Sequence, residues 1–200
     1  MLPPYIIKSF DETPQDEYAE QFYGPWLSVL VHLFDIAKGY TIYPAYLPFN
    51  PFGMGPSDPP EIPISFVVKH NKLVIFFVQV KAPNNLKNML SRRDADALMR
   101  DRFFQLLESF PSHGIISGIS AFGSQCSIYA LDGETHRIVP PTAGRPDPNT
   151  VIDMAPKTMW DFDICTEEGY AKFSEVVEIS KGGSWPVQLN VPPHQVSANE

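Results

Sequence analysis

The sequence predicts an α/β (α+β) domain with a central mixed sheet flanked by helices, and three observations carry that prediction. Residues 62–69 (IPISFVVK) and 73–80 (LVIFFVQV) are β-branched and aromatic and are separated by His70-Asn71-Lys72, the mark of a hairpin with a short polar turn. The second run is apolar almost throughout, as a strand covered on both faces requires. Residues 92–109 (RRDADALMRDRFFQLLES) have helical periodicity and precede another strand-like run at 115–122. Strand 73–80, helix 92–109 and strand 115–122 form a crossover of the right length to join two parallel strands.

The other elements follow in order. The N-terminus, MLPPYIIKSFDE, has no long apolar stretch and does not read as a signal peptide. Residues 15–38 place Tyr18, Phe22, Leu30, Leu33 and Phe34 at helical spacing, with Pro14 as a start, a kink or split at Gly24-Pro25 and Gly39 as the C-terminal cap. Residues 40–60 read as a short strand and then a wrapping loop rich in Pro, Gly and aromatics. In helix 92–109, Ala95, Leu98, Met99, Arg102 and Leu106 trace one face, widened by Phe103 and Leu107, with Ser91 as a candidate cap. Strand-like runs at 115–122 and 126–131 flank Gly123-Ser124. Asp132-Gly133 then signals a turn into HRIVPP. Thr166 suits the N-cap of a final amphipathic helix, with Tyr170, Phe173, Val176 and Val177 inward and Gly182-Gly183 at its end.

Composition agrees with one domain over residues 1–186 and a C-terminal tail at 187–200. Apolar residues make up 44% of the chain, enough for a sizeable core, and 21 prolines, clustered at 44–63, 140–156 and 186–193, imply long ordered loops. Only Cys126 and Cys165 are present, without C-x-x-C spacing, which argues against a zinc site and provides no disulfide framework. A reducing, intracellular setting, cytoplasmic or nuclear, is the expectation. No apolar stretch reaches the length of a membrane span, so no membrane partner is expected. Net charge is −8, but residues 81–102 hold six cations against Asp94, Asp96 and Asp101. That island is +3 and leaves −11 for the rest, a surface that repels polyanions. Its charges also suit a solvated helix with i,i+4 pairs such as Asp96 and Arg100.

The strand end VIFFVQVKAP, its hairpin partner and the helix after it give the order helix, three-strand meander, helix, strand over residues 15–122. In this the chain resembles the PD-(D/E)XK nuclease-like superfamily, whose core runs αβββαβ; here extra strands and a helix follow. Gln79-Val80-Lys81 looks like the family's (D/E)-x-K element with Gln at the acidic position. The GISAFG and TEEGYAKFSEVVEI segments are similar to those of fungal proteins with such a degenerate motif. The resemblance implies one or two Mg²⁺ or Mn²⁺ ions held by strand carboxylates, which activate water for phosphodiester cleavage with the lysine's support. Gln79 offers a neutral carbonyl oxygen in place of a carboxylate and so removes a full negative charge from a hard-cation site.

Residues i and i+2 on a strand share a face, so Gln79 and Lys81 should point to one site. With the turn centred on Asn71, residues whose numbers sum to about 142 oppose each other, which sets Lys81 across from Glu61 and Gln79 across from Pro63. The candidate catalytic set is therefore Glu61, Gln79 and Lys81. The candidate metal ligands are Glu61, Gln79, Asp58 and Glu20, with Glu17 as another acidic residue of the first helix. Lys87, Arg92 and Arg93 are the candidate nucleic-acid contacts. The plainer reading is that Glu61 and Lys81 form a cross-strand ion pair and Gln79 ends an apolar strand.

Other residues carry less. His32 reads as a hydrogen-bonded core histidine and His70 as a solvated turn residue. The glycines of GISAFG suit close packing, and Asp161-Phe162-Asp163 suits the capping of the final helix. The expected function is a degenerate nuclease-like domain acting as a non-catalytic interaction module, with no cofactor and with a protein partner favoured over nucleic acid. The alternative is an Mg²⁺- or Mn²⁺-dependent nuclease or phosphodiesterase with a weakened site.

Overall fold

The two runs of β-branched and aromatic residues form the hairpin expected of them. Strand β2 (Ile64–His70) and strand β3 (Leu73–Lys81) are joined by Asn71 and Lys72, which both adopt positive φ, 51° and 70°. Two consecutive left-handed residues match the right-handed twist of the flanking strands. The computed structural model describes residues 1–15, 18–46, 64–109, 114–142 and 153–182. The expected wrapping loop beyond residue 46 and the tail at 187–200 lie outside them.

The remaining strands are β1 (Tyr40–Tyr46), β4 (Ile115–Phe122), β5 (Gln125–Asp132), β6 (Arg137–Val139) and β7 (Phe162–Asp163). They join β2 and β3 in one mixed sheet of order β1-β2-β3-β4-β5-β6, with β7 paired to the start of β5. Every pairing is antiparallel except β3 with β4, whose connection runs through helix α3 (Met89–Ser109). This is the crossover read from the sequence.

Helices cover both faces, which explains the unbroken apolar character of β3: every residue from Phe76 to Lys81 is buried. One face packs under α1 (Pro4–Asp11), α2 (Tyr23–Leu33) and α4 (Glu167–Ser180). There Ile6, Phe10, Trp26, Leu30 and Phe173 meet Phe66, Phe76, Val78 and Ile119. The other face packs under α3, where Met99, Phe103 and Leu106 meet Val67, Phe77, Ile116 and Tyr129. Gly118 on β4 lets α3 come this close. A Cβ there would stand 2.8 Å from both Met99 Cε and Phe77 Cζ.

Some elements differ from expectation. Helix α1 was not anticipated, although Pro4 at its first turn and the buried pair Ile6 and Phe10 at i,i+4 carry its signature. The expected helix over 15–38 is a 3₁₀ turn (Ala19–Phe22), then α2, then a second 3₁₀ turn (Ile36–Lys38) closed by Gly39 at φ 84°. Gly24-Pro25 does not kink a long helix. It sits in the first turn of α2, where proline's missing N–H has no intrahelical partner to lose. Tyr18, read as one of the residues at helical spacing, precedes the 3₁₀ turn and is 59% exposed, and His32, expected in the core, is exposed. His70 is half-buried and stacks on Tyr40 with ring centroids 4.5 Å apart. Asn88, in place of Ser91, caps α3: its side-chain oxygen accepts from Leu90 N at 2.9 Å. Thr166 caps α4 as read, accepting from Gly169 N at 3.0 Å.

Candidate functional site

Strand periodicity puts Gln79 and Lys81 on one face at the end of β3, the face under α3. Gln79 Nε2 donates to the Leu98 carbonyl of α3 at 3.4 Å. Gln79 is 3% exposed and Lys81 8%. Among the described residues Lys81 has no salt-bridge partner.

The register opposite these residues differs from the expected one. Gln79 pairs with Ser65, where Pro63 was expected, and Val80 pairs with Ile64. Two local features produce the shift. The two-residue turn makes opposing numbers sum to 143 at His70↔Leu73, and a bulge at Val68/Lys69 raises the sum to 144 from Val68↔Phe76 onward. Glu61 and Asp58 lie outside the described residues, as does Glu17.

Parallel pairing with β4 sets Ser120 beside Gln79, and β5 sets Ser127 beside Ser120. Ser65, Gln79, Ser120 and Ser127 thus form a buried polar row across four strands, each 3% exposed or less. Trp160 Nε1 donates to Ser120 Oγ at 3.2 Å. Sequence reasoning did not single out this row. Its signal was present as isolated serines within the apolar strands at 115–122 and 126–131.

Two other buried charges on this face, Asp96 and Arg92, have partners. Asp96 accepts two hydrogen bonds from Arg100, at 2.9 and 2.8 Å, and one from the Tyr129 hydroxyl at 2.9 Å. Burial first, then the neighbouring Asp96, pushes the Tyr129 phenol well above its ordinary range. Arg92 donates to the carbonyls of Ala155 and Leu86 at 2.9 Å each and to the carboxylate of Asp153. Arg92 is therefore a core cation tying α3 to the 153–160 segment. Lys87 and Arg93 are exposed, and Arg93 pairs with Asp94 at 3.7 Å.

Glu20 is exposed on the 3₁₀ turn before α2. Its turn-mate Phe22 packs into the core on the face opposite Gln79. Ser65, Gln79 and Ser120 offer only neutral oxygens, whereas a hard divalent cation takes carboxylates. The described part of the strand end does not fit such an ion, and among the described residues no three His, Cys, Asp or Glu side chains group as metal ligands.

The Asp161–Asp163 segment has a structural use. Asp163 accepts from Ser124 Oγ and Gln125 Nε2 at 3.0 Å each and from Cys165 N at 2.9 Å, which fastens β7 to β5. Both cysteines are free. Burial, then Asp163 and Asp11, pushes the Cys165 thiol up to about 12, and burial raises that of the fully buried Cys126. Neither is poised as a nucleophile, because the thiolate is the reactive form.

Fold and site together define an α+β domain with a mixed sheet and a polar layer beneath α3, in which Asp96 and Arg92 are paired. No helix among the described residues is long and apolar enough to cross a membrane. No family model, curated protein or solved structure matches this chain.

Proposed function

We propose that this chain is a PD-(D/E)XK-like domain that acts without catalysis, as a binding module with a protein partner. The element order from α2 to β4 supports the reading: a helix, three antiparallel strands, a helix and a strand parallel to the third. The observation that carries it is the row Ser65–Gln79–Ser120, neutral where metal-dependent cleavage needs carboxylates. Internal use of Arg92 and Arg100 supports a protein partner over nucleic acid, since it removes two guanidinium groups from the basic island's surface.

A second reading has a specific observation behind it. Lys81, at the strand end and without an ion pair among the described residues, suits a weakened Mg²⁺- or Mn²⁺-dependent nuclease or phosphodiesterase. One set of measurements separates the two. Purified protein is incubated with DNA and RNA in Mg²⁺ or Mn²⁺, and Mn²⁺ binding is titrated for the wild type and for Ser65→Asp combined with Gln79→Glu. The binding-module reading expects intact nucleic acid and Mn²⁺ binding only in the double variant. Cleavage by the wild type that Lys81→Ala abolishes, with the variant still folded by circular dichroism, would replace it with the nuclease reading. For the partner, affinity for nucleic acid that falls steeply with added salt would overturn the preference for protein.

A further inference from the structure

We draw no further inference here: the strongest candidate, the exposed apolar stripe of Leu90, Ala97 and Phe104 at seven-residue spacing on the solvent side of α3, carries nothing because no feature of the structure shows what covers it.

Discussion

Gly118 sets how closely α3 lies on the sheet, because Met99 Cε and Phe77 Cζ fill the space a methyl group would occupy. Gly118→Ala should lower stability by about 1–3 kcal/mol, the usual cost of overpacking a core. The measurement is a shift of the urea midpoint without a change in slope. The thiols give a second prediction at this scale. Cys165 ionises at about 12 in the fold and near 9.0 when unfolded. The protonated form is therefore favoured by folding, and its stabilisation is complete below about pH 9 and lost as pH rises toward 12. Tyr129, raised from 10.0 in the same sense, adds to the loss above pH 10. Denaturation from pH 8 to 11 should show falling stability, flattened in part by Cys165→Ser. Iodoacetamide at pH 8 should label both folded cysteines far more slowly than a free thiol, and rapid labelling of Cys165 would contradict its environment.

At the scale of elements, caps and turns decide where segments begin and how they align. Asn88 accepts the Leu90 amide at the start of α3. Asn88→Ala should cost about 1 kcal/mol in thermal or chemical unfolding, as N-cap removal commonly does. Ser91→Ala should be near neutral, since the cap lies at Asn88. The β2–β3 register shows how small local features move a candidate site. A two-residue turn and one bulged residue shift Gln79's partner from Pro63 to Ser65. Bulges leave little mark in a run as uniformly apolar as LVIFFVQV, so the pairing could not be read there. The 15–38 segment teaches the same lesson. Apolar spacing predicts helix, but the position of Gly24-Pro25 relative to the helix start decides between a kink and a first turn.

For the whole molecule, the basic island illustrates what the fold does with charge. Six cations between 81 and 102 read as a surface patch. In the fold Arg92 and Arg100 are held by Asp153, Asp96 and backbone carbonyls, Lys81 is buried, and Lys87 and Arg93 face solvent. Arg92→Met should cost about 2–3 kcal/mol, since hydrogen bonds to a charged group are each worth about 1.5–3 and Asp153 is partly exposed. Arg92→Lys should restore little, because a compact ammonium cannot reach three acceptors set in a fork. Lys87→Glu and Arg93→Glu should stay within about 0.5 kcal/mol of the wild type, as exposed positions do. Denaturant unfolding of the four variants tests this. A loss at Arg93 as large as at Arg92 would show that the division between core and surface cations is wrong.

The sequence by itself determined the mixed-sheet class, the hairpin, the crossover through α3, the Thr166 cap and the shared face of Gln79 and Lys81. Each rests on a local rule: a period of two or of 3.6, a turn dipeptide, a capping side chain. Only the tertiary structure decided that Ser65, Gln79, Ser120 and Ser127 form one buried row, that Arg92 belongs to the core, and that Gln79 faces Ser65. Those facts depend on partners far apart in the chain, such as Arg92 and Ala155 across 63 residues. Burial and charge matching are set by which elements meet, and no short window of sequence contains that information.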